Sequence, residues 1–309
     1  MIPIPTGSHS LAAACAAINQ IILGKERAVR LSLCCLLAGG HLLIEDVPGV
    51  GKTTLAQTLA KVLGLRYRRI QFTSDLLPAD ITGVSVYERD TGRFSFHPGP
   101  VFTELLLADE INRATPKAQS ALLEAMEEHQ VTVDGTTHAL PHPFFVVATQ
   151  NPSSQLGTYA LPESELDRFL MCLSLGYPSA DFERALLRGA DRRRLIDAEP
   201  AVLNPADILS LQTQVRAVTV SEALLDYLQA LVERTRDGKH ALTGLSPRAA
   251  LALLRAAQSW ALLEGRQAVL PEDVQAVFVA VAAHRLTLDA THAQTQTVAE
   301  TILKSVPIP

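Results

Sequence analysis

Cysteine is scarce in this 309-residue sequence: Cys15, Cys34, Cys35 and Cys172 are the only four, and no C-x-x-C pair occurs among them. That spacing offers neither a redox dithiol nor a cysteine-built metal site, and buried, reduced thiols are the expectation. Long apolar runs are missing too. The longest, residues 31–44, is interrupted by Gly39, Gly40 and His41 and falls short of the roughly 18 residues that a membrane span requires. The opening MIPIPTGSHS has no lysine or arginine, whereas a signal peptide opens on positive charge, so a cytoplasmic location is expected. Positive charge is in deficit overall, with 27 basic against 32 acidic side chains and a net charge of −5. Such a balance argues against nucleic-acid and membrane-surface partners, and no stripe of aromatic and basic residues offsets it. Neither an internal repeat nor a low-complexity tract is present.

What is present reads as a mainly parallel α/β protein with a helical second half. The length allows a substantial core and two domains. Residues 12–38 have helical periodicity, broken at Gly24-Lys25. HLLIE (41–45), LLLAD (105–109) and PFFVVATQN (143–151) are short apolar runs, the pattern of buried strands. Buried strands separated by helices belong to parallel sheets. In PKAQSALLEAMEEHQ, Ala118, Leu122, Ala125 and Met126 share one helical face, and Glu124, Glu127 and Glu128 lie off it. Two stretches predict hairpins: 72–100, turning at Thr91-Gly92, and 131–144, turning at Asp134-Gly135. Beyond LGYPSADFERALL the periods are helical. SEALLDYLQALVERT, SPRAALALLRAAQSWALLEG and PEDVQAVFVAVAAHRL each open on a capping residue or proline. A domain boundary is therefore expected at Tyr177-Pro178, giving units 1–177 and 178–309.

The stretch EDVPGVGKTT links the first strand to the next helix. A phosphate-binding loop usually reads G-x-x-x-x-G-K-[ST]; here Gly51, Lys52 and Thr53 are in register, but Asp46 occupies the first glycine's place. The chemistry asks for a strand, a glycine-rich turn and a helix N-terminus, whose amides and dipole favour phosphate. Asp46, Val47, Pro48, Gly49, Val50, Gly51, Lys52, Thr53 and Thr54 form the expected cradle. Lys52 would reach the β- and γ-phosphates, and the Thr53 hydroxyl would bind Mg²⁺. Aspartate at the first position is expected for its tolerance of unusual backbone angles. The partner of such a loop is LLLADE, with Asp109 for Mg²⁺, directly or through water, and Glu110 to polarise the attacking water. Asn151, ending the third strand, is placed to sense the γ-phosphate or position that water. Arg168 in SELDRF and Arg248 in GLSPRAA are further candidates; an arginine at a helix start opposes the helix dipole, which points to a function. His138 and His142 lack companions at ligand spacing, so no metal is expected there.

Together these residues resemble the AAA+ ATPases, and within them the MoxR group. The resemblance runs from GKERAV at Gly24 to PEDV at Pro271. Its specific stretches are LIEDVPGVGKTTLAQTLA, GPVFTELLLADEINRATPKAQSALLEAMEEHQVTVDG, FVVATQNP, LPESELDRF and GLSPRAALALL. Aspartate before V-P-G-x-G-K-T is itself a feature of that group. The resemblance implies an α/β fold: an AAA+ P-loop αβα core with a parallel sheet, followed by a small all-helical lid domain. It implies Lys52 and Thr53 as the Walker A pair, Asp109 and Glu110 as the Walker B pair, Asn151 as sensor 1 and Arg248 as sensor 2. Arg168 resembles the arginine finger that enters the neighbouring subunit's site, and Arg113 would lie near that interface.

The cofactors so implied are ATP and Mg²⁺, and the assembly is a homo-oligomer, a hexamer, with the hairpins near its pore. The implied partners are proteins carrying von Willebrand factor A (VWA) domains, in complexes whose maturation the ATPase assists. The alternatives are a metal-chelatase-type motor subunit and a nucleotide-dependent assembly scaffold with little hydrolysis; a nucleic-acid motor fits the acidic balance poorly. With Arg168 acting across the interface, assembly becomes a condition of turnover. Arg248 would report nucleotide state by moving lid against core.

Overall fold

The computed structural model describes residues 6–151, 158–187, 192–239, 241–287 and 292–308. Helices α1 (Thr6–Ile21) and α2 (Glu26–Leu37) come first, parted at Gly24-Lys25 as the periodicity predicts. Strand β1 (Leu42–Glu45) leads into α3 (Lys52–Val62), then β2 (Tyr67–Gln71) and a short helix α4 (Pro78–Thr82). A hairpin of β3 (Gly83–Glu88) and β4 (Arg93–Pro98) precedes β5 (Leu105–Asp109) and α5 (Pro116–Glu128). A second hairpin, β6 (Gln130–Val133) and β7 (Thr136–Ala139), is followed by β8 (Phe145–Gln150), α6 (Glu163–Leu166) and β9 (Met171–Leu173). The rest is helical: α7 (Ala180–Leu187), α8 (Arg192–Ala198), α9 (Pro205–Ala217), α10 (Glu222–Thr235), α11 (Pro247–Leu263), α12 (Pro271–Ala282) and α13 (His292–Ser305).

One sheet runs in the order β2-β5-β8-β1-β9, with every neighbouring pair parallel. Side chains alternate across a strand, and the core divides accordingly. Leu42, Ile44, Leu105 and Leu107 enter an apolar cluster with α1, α2, α3 and the C-terminal helices. Leu43, Leu106, Ala108 and Val146 enter a second cluster with α5. This is the expected α/β fold in three layers, αβα. β2 has no apolar run to announce it, because it lies at the sheet's edge and only Ile70 of its YRRIQ is buried.

The helical half rests on the first cluster. Ser221 caps α10 and Ser246 caps α11 by accepting backbone amides, and α12 opens on Pro271. Ser259 Oγ donates to the Cys34 carbonyl (2.9 Å) and Cys34 Sγ to that of Ala256 (3.2 Å), joining α11 to α2. Cys34, Cys35 and Cys172 are free and buried, and burial pushes all three thiols up. The hairpins touch each other, the His138 ring stacking on Phe96 at 3.9 Å. Phe94 and Tyr87 of the first hairpin stay exposed. Among the described residues no three metal-ligating side chains gather, and no helix is long and apolar enough to cross a membrane.

Candidate active site

Parallel strands all end at one edge of their sheet, so the polar residues closing β1, β5 and β8 converge there. Past β1 the chain turns into α3 through Gly49 (φ 88°) and Gly51 (φ 98°), left-handed angles that favour glycine. A Cβ at either would meet nothing within 4 Å, so the angle, not crowding, is what glycine answers. No side chain caps the first turn of α3, and no acidic residue lies in it. Its amides therefore face the turn as an anion site requires. Lys52, first in that helix, is buried; Nζ donates to the Asp46 carbonyl (2.5 Å), Asn151 Oδ1 (3.1 Å) and the Gln150 carbonyl (3.3 Å). Burial lowers the Lys52 pKa, and the carboxylates of Asp46, Asp109, Glu110 and Glu45 act against that fall. An ammonium bonded only to neutral oxygens is ready for an anion. Thr53, half-buried, follows it.

β5 ends on buried Asp109. Its Oδ1 accepts from Thr149 Oγ1 (2.6 Å), and its Oδ2 from Arg69 Nη2 (2.7 Å). Glu110 leaves the strand at φ 56°, a left-handed conformation that costs a non-glycine residue about 1–3 kcal/mol. A bond from its amide to Thr149 Oγ1 (2.9 Å) holds it there. Thr149 thus accepts from Glu110 and donates to Asp109, fixing the two acids relative to each other. The Glu110 carboxylate accepts from Asn151 Nδ2 (3.2 Å), Gln71 Nε2 (2.8 Å) and Arg113 Nη1 (2.9 Å). Opposite demands orient the Asn151 amide, its oxygen to the Lys52 ammonium and its nitrogen to the Glu110 carboxylate.

Asp46 corrects the expectation about its backbone. Among the described residues the non-glycines with positive φ are Glu110, His129 and Asp134, not Asp46. Its carboxylate explains it instead. Oδ1 accepts from the Val47 amide (2.8 Å); Oδ2 accepts from Ser174 Oγ (2.9 Å) and the amides of Leu175 (2.7 Å) and Gly176 (2.6 Å). Burial alone would raise its pKa, but the bonds from Gly176, Ser174, Val47 and Leu175 hold it below the usual carboxylate value. Beside the loop lies a cavity of about 210 Å³, walled by Ile21, Ile22, Leu175, Pro178 and Phe182 and open to Gly51.

Residues 41–171 match the family described as "ATPase family associated with various cellular activities (AAA)", and residues 233–306 match the "AAA lid domain". Chaperone MoxR1 of Mycobacterium tuberculosis (strain ATCC 25618 / H37Rv) is 40% identical over 97% of this chain and 83% of its own. This chain belongs to the MoxR group of AAA+ ATPases. The uncharacterised YeaC of Bacillus subtilis (strain 168) is 48% identical over 88% of this chain and 85% of its own. A crystal structure from Cytophaga hutchinsonii, provisionally named an ATPase, superposes with a TM-score of 0.89 at 37% identity, over 98% of this chain and 96% of its own.

Two candidate residues of this MoxR-group chain stand apart from the others. Arg168 Nε and Arg248 Nη1 both bind Glu127, at 3.2 and 2.9 Å. They line a cavity of about 240 Å³ with Gly39, Gly40 and Leu170. Those three residues precede β1 and β9, so this is the opposite edge of the sheet from Lys52. Arg248, expected to report nucleotide state from the lid, thus lies across the sheet from the phosphate loop of its own chain. Arg113 bonds Glu110 of its own chain. The motifs missed Thr149, Gln71, Arg69 and the segment from Ser174 to Gly176. A two-residue period was the available signal: Thr149 shares a strand face with Asn151, and Arg69 shares one with Gln71.

Proposed function

We propose that the chain is a Mg²⁺-dependent ATPase of cytoplasmic rings, whose turnover drives chaperone-like remodelling or maturation of partner proteins. Each site is completed by Arg168 and Arg248 of the next copy. One observation carries this reading: Lys52, Asp109, Glu110 and Asn151 lie at one edge of the sheet, while both candidate arginines lie at the other, clasped by Glu127. In a head-to-tail ring the second edge of one copy meets the first edge of its neighbour.

Lys52 and the amides of the loop take the phosphates, and the apolar cavity beside them takes the base. The Thr53 hydroxyl and the Asp109 carboxylate are hard oxygen donors suited to Mg²⁺, which neutralises phosphate charge when bound. Glu110 accepts a proton from the attacking water, and Asn151 holds it beside Lys52. An arginine at the terminal phosphate contributes on the order of 10³–10⁵ in rate. Units 1–177 and 178–309 would shift against each other during the cycle. The hexamer and the VWA-domain partner rest on the MoxR resemblance, and the chaperone role also on the name of the mycobacterial relative.

Two inactive variants test the shared site. Lys52→Ala removes nucleotide binding and keeps the arginines; Arg168→Ala does the reverse. Mixed, they should regain phosphate release, since a Lys52→Ala copy lends its arginine to an Arg168→Ala site. No recovery in mixed assemblies would refute the shared site. ATP binding without phosphate release in wild type would leave an assembly scaffold.

A further inference from the structure

Asp46 has more partners than a loop residue needs. Its carbonyl accepts from Lys52 at 2.5 Å, so its backbone belongs to the phosphate end of the site. Its carboxylate reaches away, to Ser174 Oγ (2.9 Å) and the amides of Leu175 (2.7 Å) and Gly176 (2.6 Å). The residue is buried, 8% exposed. Glycine, the usual residue there, would make none of the carboxylate bonds. The next residue, Tyr177, is held from another side, its carbonyl accepting from Lys25 Nζ at 2.8 Å. Leu175 and Pro178 of this tethered segment wall the 210 Å³ cavity, which opens on Gly49, Gly51 and Thr54 of the phosphate loop.

We propose that Asp46 is a positioning residue through which the phosphate loop sets the wall of the base cavity, so that the site selects a nucleotide over a bare triphosphate. The inference rests on the nucleotide reading given above. With the carboxylate in place, the loop that holds phosphate and the segment that covers the base move as one body. Without it, the loop still offers Lys52 and its amides, but Ser174–Gly176 loses its anchor and the cavity loses a fixed wall. A carboxylate suits the task because one oxygen, Oδ2, accepts three bonds while the other, Oδ1, stays on the loop; an amide side chain has only one acceptor atom.

The test compares ATP with inorganic tripolyphosphate, both with Mg²⁺, by calorimetry on the full chain. Wild type should prefer ATP. Asp46→Gly, which restores the usual loop residue, should narrow that preference at least tenfold while still binding tripolyphosphate. Asp46→Asn should fall between the two. In wild type, ATP should slow amide exchange at Leu175 and Gly176 more than tripolyphosphate does; in Asp46→Gly that difference should vanish. An unchanged preference would overturn the inference and leave the nucleotide reading standing, as would equal weakening of both ligands, which signals only a damaged loop. Wild type that binds neither ligand would overturn both.

Discussion

Asn151, Gln71 and Arg113 all donate to the Glu110 carboxylate, so the proposed base is aimed before any substrate arrives. Glutamine at 110 would keep the side chain's size and lose its capacity to take a proton. Glu110→Gln should therefore bind ATP with little loss, while phosphate release falls by about 10²–10⁴. Lys52→Ala should instead lose ATP-dependent stabilisation, which at a hundredfold excess over Kd amounts to about 2.7 kcal/mol. Melting curves with and without ATP, paired with a phosphate assay, separate the two, and a Lys52→Ala chain stabilised like wild type would remove Lys52 from the phosphate site. Gly51, Lys52, Asp109 and Glu110 were legible in the sequence because each sits in a short local pattern that the chemistry itself requires. The role of Asp46 was not, since the three partners of its Oδ2 lie 128 to 130 residues further along the chain.

At the scale of elements, His41 ties three of them together just before β1. Its Nδ1 accepts from the Val146 amide (3.1 Å), which leaves Nε2 to donate to the Met126 carbonyl (3.2 Å), and the imidazole is neutral. Burial brings its pKa down from 6.5 to about 4. The folded value is the lower one, so the unfolded chain takes up the proton first and stability falls as pH drops from 6.5 towards 4. Between pH 7 and pH 5 the loss should be on the order of 2 kcal/mol, read as a lower urea midpoint. His129, lowered by burial and by His142, acts in the same direction. His41→Gln, which cannot take the proton, should show a shallower decline; an equal slope would refute the assignment. β1, β5 and β8 were readable as apolar runs because they are buried on both faces. β2 was not, because an edge strand may be polar wherever solvent reaches it, and with it Arg69 and Gln71 went unseen.

The whole molecule is asymmetric, with an acceptor edge around Lys52 and Glu110 and a donor edge at Arg168, Arg248 and Glu127. On the proposed reading, such a body completes its site by stacking on copies of itself. Phosphate release per subunit should rise with protein concentration through the range where sizing shows assembly, then level off. A rate that stays flat across that range would place the whole activity in one chain.

The amino-acid order by itself determined the strand, turn and helix of the phosphate loop, the paired acids, the helical second half and the family, because these depend on neighbours along the chain and on the periods of local structure. Tertiary structure alone decided that Asp46 serves through its carboxylate and that Arg168 and Arg248 meet on Glu127, facing away from their own phosphate loop. Those facts depend on which distant segments the parallel sheet brings to each edge, and local periodicity does not encode that arrangement.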